Sequence, residues 1–199
     1  MRYQEDVERI RSRLSEKRFI HSINVAVEAE RLSLRYGADP EKAYRCGLLH
    51  DIMKDDPPEV QREYIRRCGI VLTAEEESSH KLWHSIAGVA YMERELGITD
   101  PQMLRAVRYH TSARAGMELL EKIVYLADFT SADRDYNGVE RMRQKVDRSL
   151  EEAMEEGLSF TVCELAGKGA VICRDTFEAY NEIMLGKRAE QTPTPEKEG

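Results

Sequence analysis

Apolar residues recur along almost the whole chain at the three-to-four residue interval of a helix face, and no stretch alternates at the two-residue interval of a strand. Tyr3, Val7, Ile10 and Leu14 fall at i, i+4, i+7 and i+11, a stripe that suits either core packing or an interface. A second helix is predicted from about Arg18 to Tyr36, stopping at Gly37 where a C-cap glycine belongs. Asp39-Pro40 opens a third, with aspartate as N-cap and proline at the first helical position. It carries Ala43, Cys46, Gly47 and Leu49 towards a His50-Asp51 pair, and Pro57-Pro58 ends or restarts the chain.

Further helices are predicted over Val60–Cys68, closed by Gly69, and over Ser79–Leu96, closed by Gly97. Between them, Thr73 followed by glutamates reads as a capped turn. Asp100-Pro101 repeats the start signal for a helix lasting to about Thr111, and Met117 to Thr130 gives the next. Residues 131–138 are a loop by their Asp, Asn and Gly content. Two helices, 139–157 and 158–185, complete the pattern, the second loosened at Gly167 and Gly169. The fold is predicted to be all-α, one domain over 1–186, with a disordered polar tail over 187–199.

Composition narrows this picture. A chain of 199 residues is long enough to bury a substantial core. No apolar run approaches the ~20 residues of a membrane helix, and the charged stretch Met1–Arg13 lacks the apolar core of a signal peptide. A cytoplasmic protein is expected, not bound to a membrane. Cys46, Cys68, Cys163 and Cys173 are scattered, which suits reduced thiols rather than a metal finger. The formal charge of −7 argues against nucleic-acid binding, which rests on a basic surface, while leaving room for a small phosphorylated substrate.

His50 and Asp51 follow an apolar run and do not suit the interior it implies, since an unpaired polar or charged group there costs several kcal/mol. A metal ion would resolve the conflict, imidazole and carboxylate both being good ligands. Other residues could join them. His110 continues the Met103, Val107 stripe, and His84 shares a helix face with Ala87, Gly88 and Tyr91. His21 opens the second helix, whereas His80 precedes most of its own and has no such partners. Asp128 extends the stripe of Leu120 and Val124 with no basic residue one turn away, so a buried Asp128 needs a partner from elsewhere in the fold.

The order His21, His50-Asp51, His84, His110, Asp128 resembles the HD-domain superfamily of metal-dependent phosphohydrolases. Within it the chain is most similar to the YqeK family, the bacterial symmetrical diadenosine tetraphosphate hydrolases. The resemblance runs from about Arg18 to Asn181 and rests on Arg18-Phe-Ile-His-Ser, Leu48-Leu-His-Asp, Tyr109-His-Thr, Tyr125-Leu-Ala-Asp-Phe and Arg134-Asp-Tyr-Asn-Gly-Val. It implies an HD helical bundle with a divalent metal in its core, iron favoured over manganese, cobalt or zinc. His21, His50, Asp51 and Asp128 would hold the main ion. His84 and His110 would complete a second metal position or bind substrate phosphate.

The implied reaction converts diadenosine tetraphosphate, or a related dinucleoside polyphosphate, to two nucleoside diphosphates. Asp51 would serve at the metal, and Lys54, Arg134 and Arg18 would supply cations for phosphate. Thr111 and the segment Arg174, Thr176, Tyr180 of the last helix would contact the nucleotide. A homodimer is the family expectation. Three departures from the family stand out: Thr111-Ser112-Ala113 where many relatives have Thr-Thr-Gly, Ser85 after His84 where some have glycine, and Ser131-Ala132-Asp133 where Glu-Pro-x is usual. Two other readings stay open: a different HD-type phosphohydrolase or phosphodiesterase, and a non-catalytic nucleotide-binding module.

Overall fold

The computed structural model describes residues 3–191, and among these it contains helices and no strand. The helices are α1 (Gln4–Arg13), α2 (Glu16–Tyr36), α3 (Pro40–Leu49), α4 (Pro58–Arg67), α5 (Ala74–Ser78), α6 (His80–Leu96), α7 (Pro101–Arg108), α8 (Leu119–Thr130), α9 (Val139–Arg148), α10 (Leu150–Gly167) and α11 (Arg174–Gln191). No described helix is long and apolar enough to cross a membrane.

The caps read from the sequence do their work locally. Asp39 and Asp100 each accept two backbone N–H bonds at the start of α3 and α7, which proline then enters at no cost in hydrogen bonds. Thr73 and Glu76 satisfy one another's backbone in a capping box, and Gly37 ends α2 at φ 81°. The Tyr3 stripe turns inward. Val7, Ile10 and Leu14 are buried, and Tyr3 stacks on Tyr44 with ring centroids 5.9 Å apart, so the stripe is core packing.

The sequence pattern misplaces three boundaries near the C-terminus and one in the middle. The helix expected over 139–157 is two, because Ser149 is extended and caps α10 by accepting from the Glu152 N–H. The helix expected over 158–185 is also interrupted: α10 ends at Gly167, Gly169 has φ 62°, and α11 restarts at Arg174. α11 runs through Gln191, past the Lys187 at which the polar tail was expected, and positions 192–199 lie outside the described residues. α7 stops at Arg108, short of Thr111.

α3 lies at the centre, packed against α2, α7 and α8, with α1 across α2 and α3. α4 and α6 pair on one side, and α10 joins α8 to α9 and α11 on the other. α2 and α3 approach closely. A Cβ on Gly47 would lie 2.5 Å from the Cα of Ala26, inside any tolerable contact, so only glycine lets the two backbones touch.

Candidate functional site

That close approach sets the site. One helical turn beyond Gly47, His50 comes within 5.3 Å of the His21 ring of α2, centroid to centroid. The His110 ring, just past α7, is 4.9 Å from His50, and His84 of α6 is 5.1 Å from His110. Asp51 follows His50, and Asp128 arrives on α8. All five histidine and aspartate segments picked from the sequence therefore meet at one place. His80, set apart on sequence grounds, is indeed elsewhere, exposed and packed on Trp83 at 4.3 Å.

Backbone carbonyls fix the tautomers. His50 Nδ1 donates to Gly47 O at 2.7 Å and His110 Nδ1 donates to Val107 O at 2.7 Å. A carbonyl only accepts, so each Nδ1 carries the proton and each Nε2 presents its lone pair to the cluster. His21 is oriented by a carboxylate. Its Nδ1 donates to Asp133 Oδ2 at 2.8 Å, and its Nε2 lies 2.9 Å from Asp128 Oδ1. Asp133 was not picked out by the sequence reading, which saw its loop only as a departure from the family. The signal available there was weak, since Asp135, Asn137 and Ser131 in the same loop are equally plausible acceptors.

The inward atoms are short of partners. His50 Nε2 and Asp51 Oδ1 are both buried without a hydrogen bond, although His84 Nε2 and Lys54 Nζ approach Asp51 Oδ1 to 3.2 and 3.7 Å. Such orphaned groups cost about 1–3 kcal/mol each. A divalent cation would satisfy both at once. The residues fit one: His21, His50 and Asp51 form one set of donors, His50, His110 and Asp128 a second, and Asp51, His84 and His110 a third, each set with its atoms within 4.8 Å of one another. Asp51 belongs to the first and third sets, the position from which one carboxylate can serve two ions.

The electrostatics agree with a site built for positive charge. Burial pushes the His50 imidazole down to about 3 and His84 to about 4, so both are neutral and free to ligate at neutral pH. Burial works against the Asp51 and Asp128 carboxylates, yet surrounding histidines, Lys54 and Arg134 hold both well below the usual range. Burial also opposes the charge on His21, but the hydrogen bond to Asp128 together with the charges of Asp128 and Asp133 outweighs it, so His21 is raised. Asp128 thus has the remote partners its sequence context demanded: His21 and Arg134, whose guanidinium bonds both its carboxylate and, at 2.6 Å through Nε, its carbonyl.

Three cations border the cluster. Arg18 donates to Asp51 Oδ2 at 3.2 Å, Lys54 reaches His84 Nε2 at 3.0 Å, and Arg134 lies against Asp128. Thr111 joins them, its hydroxyl 3.0 Å from His110 Nε2 and 3.2 Å from His84 Nε2. A cleft of about 600 Å³ opens from His110, Thr111 and Asp128 and passes His80, Lys81, Phe129 and Lys168 to Thr176. A somewhat larger cavity between α10 and α11 includes no residue of the cluster.

The last helix enters the site less than expected. Thr176 borders the cleft, but it is buried and its hydroxyl is committed to Ser112 O at 2.6 Å. Arg174 is exposed and paired with Glu178 at 2.7 Å, and Tyr180 packs on the core beside a different cavity. Neither reaches the cluster. α11 starts at the cleft, which Thr176 borders, and Tyr180 further along it lines a different cavity.

Comparison with known proteins agrees with this geometry. Residues 18–133 match the HD domain family model, a span containing all the histidines and aspartates of the cluster. The symmetrical bis(5'-nucleosyl)-tetraphosphatase of Bacillus subtilis is 34% identical over 183 residues, covering 89% of this chain and 95% of the relative. The Staphylococcus aureus protein of the same name is 31% identical over 173 residues, covering 86% and 89%. A crystal structure of a predicted HD superfamily hydrolase involved in NAD metabolism, from Clostridium acetobutylicum, superimposes with a TM-score of 0.89 at 34% identity, covering 92% of this chain and 97% of that one.

Proposed function

The chain belongs to the HD domain family and, within it, groups with the symmetrical bis(5'-nucleosyl)-tetraphosphatases, and from that premise we propose that it hydrolyses diadenosine tetraphosphate to two ADP. The observation that carries the reading is the pair of buried atoms without hydrogen-bond partners, His50 Nε2 and Asp51 Oδ1, in a cluster bordered by the cations Arg18 and Lys54. A purely structural metal site has no use for those cations.

In this reading His21, His50, Asp51 and Asp128 hold the principal ion, and His84 and His110 hold a second or grip phosphate. Bound there, a divalent ion supplies Lewis acidity and makes water more acidic at neutral pH. Iron is the proposed occupant on the family resemblance, the donors suiting manganese, cobalt and zinc as well.

The chain's own contribution is positioning and charge. Carbonyl and carboxylate acceptors behind His50, His110 and His21 keep their Nε2 atoms aimed inward before substrate arrives. Lys54 and Arg18, on either side of Asp51, neutralise the non-bridging oxygens of the attacked phosphorus as negative charge accumulates. Arg134 offers the same to a neighbouring phosphate and stabilises the leaving ADP. Water oxygen bonds one central phosphorus as the bond from that phosphorus to the central bridging oxygen breaks; that oxygen leaves on the other half, the water's protons pass to the leaving oxygen or to solvent, and two ADP result. Thr111 supplies a hydroxyl at the cleft mouth.

The reading further takes the chain to be a cytoplasmic enzyme acting on a nucleotide rather than on nucleic acid, in keeping with its formal charge of −7, and to assemble as a homodimer. The functional test is product identity. Iron-loaded protein, incubated anaerobically with diadenosine tetraphosphate and resolved by chromatography, should give ADP alone. AMP with ATP, or orthophosphate, would point to another member of the superfamily.

A further inference from the structure

Beside the cleft already described, a second cleft leaves the His/Asp cluster. Both touch Asp128, Phe129, Thr161 and Glu164, and they diverge from that shared ridge. The larger has been described. The smaller, about 280 Å³, is close to the ~300 Å³ at which small-molecule pockets begin, and it has Arg134 beside Asp128 at its inner end and Tyr136 and Phe160 on its walls.

Its walls are aromatic in a way packing alone does not require. Phe160 keeps 43% of its surface exposed. It lies 5.7 Å from the Tyr136 ring and meets Phe129 edge-on at 6.3 Å. The Tyr136 hydroxyl donates to Phe129 O at 3.2 Å, which holds the loop ring against the helix ring. A half-exposed aromatic platform beside a guanidinium is what a planar base joined to a phosphate requires.

We propose that this aromatic cleft is the second nucleoside subsite, so that the two halves of the substrate run from the cluster in opposite directions, one into each cleft. The inference rests on the functional reading above. A substrate cut at its midpoint carries a nucleoside on both sides of the reacting phosphorus, and a chain with a single cleft would hold only one of them. The base is held by stacking, not read by its edge. The Thr161 hydroxyl is committed to Gly157 O at 2.9 Å, and Glu164 is paired with Lys168. Adenine and guanine therefore fit this subsite about equally.

The test is the stoichiometry of ADP on the metal-loaded protein, measured by calorimetry for the wild type, Phe160→Ala and Phe160→Trp. The wild type is expected to bind two ADP per chain. Phe160→Ala should keep one site at full affinity and weaken the other roughly ten- to a hundredfold, the range that stacking on one ring supplies, while Phe160→Trp keeps both. A single site in the wild type overturns the proposal, and so does an alanine variant whose two sites are unchanged or weakened equally, the last marking a ring that only packs. Failure of the wild type to convert diadenosine tetraphosphate to ADP would instead remove the functional reading itself, so the two failures are separable.

Discussion

Asp133 Oδ2 accepts a hydrogen bond from His21 Nδ1 at 2.8 Å, so a loop carboxylate 112 residues further along the chain holds the histidine from behind. The same arrangement on a metal-binding imidazole fixes its orientation and raises its basicity. Asp133→Ala is expected to lower metal affinity by about ten- to a hundredfold with the helical content unchanged, and Asp133→Asn, which can still accept the bond, to lose less. Competition against a chelator of known affinity measures both. Equal affinity in wild type and Asp133→Ala would show that Asp133 does not position His21.

Ala113 stands where the family resemblance leads one to expect glycine, and its backbone shows why glycine would suit the position. It is fully buried with φ 57°, in the left-handed region that disfavours a Cβ. Ala113→Gly removes that strain, though the unfolded chain gains freedom, so a net stabilisation of up to about 1 kcal/mol is expected. For a chain of this size that raises Tm by about 2–4 °C per kcal/mol. A Tm unchanged or lowered in calorimetry would contradict the strain.

Gly47→Ala should do the opposite. Its Cβ would meet Ala26 Cα at 2.5 Å, Ala26 N at 2.7 Å and Val25 O at 2.9 Å, all backbone atoms that cannot swing aside. Overpacking of this kind costs about 1–3 kcal/mol or more. Because α3 carries His50 and Asp51, metal affinity should fall with stability. Urea unfolding and metal titration of the variant check the pair, and a shift in neither would mean the helix contact is not what aligns the site.

Acid should destabilise the metal-free protein earlier than carboxylates alone would dictate. His50 and His84, held down to about 3 and 4 by burial, titrate near 6.5 once unfolded. Their contribution is complete above about pH 6.5 and is lost as pH falls through the folded values, by about 1.4 kcal/mol per pH unit for each group. His21 is raised, so its contribution is present below about 6.5 and lost only as pH rises through its folded value. The urea midpoint should therefore fall steadily between about pH 6.5 and 4. A flat profile over that range would mean the two imidazoles are not buried as neutral groups.

How much of this was legible beforehand depends on what each feature leaves in a sequence. Asp39, Asp100, Thr73 and Gly37 act through backbone atoms a few residues away, so their helix ends could be read directly. His84, His110 and Asp128 were found because apolar residues on their helix faces pull them inward and His50-Asp51 because an apolar run leads to it, whereas His21 was found through its place in the family order. The break at Ser149 was hidden, since Val139, Met142, Val146, Leu150 and Ala153 keep helical spacing straight through it and all are buried. Asp133 and the aromatic trio Phe129, Tyr136 and Phe160 act across distant segments, a relation no local period records. Arg174 and Tyr180 were assigned by family position; Arg174 opens α11 paired with Glu178, and Tyr180 lines a different cavity further along the helix.

The central claim is that phosphoryl chemistry occurs at the His/Asp cluster, and the most direct measurement compares turnover of diadenosine tetraphosphate by the metal-loaded wild type and Asp51→Ala. The wild type should release two ADP per substrate consumed, and the variant should lose about a hundred- to a thousandfold in kcat, the scale of removing a preorganised electrostatic group at the reacting centre, while retaining its helical content. Turnover surviving in Asp51→Ala, or no ADP released by either protein, would contradict the account.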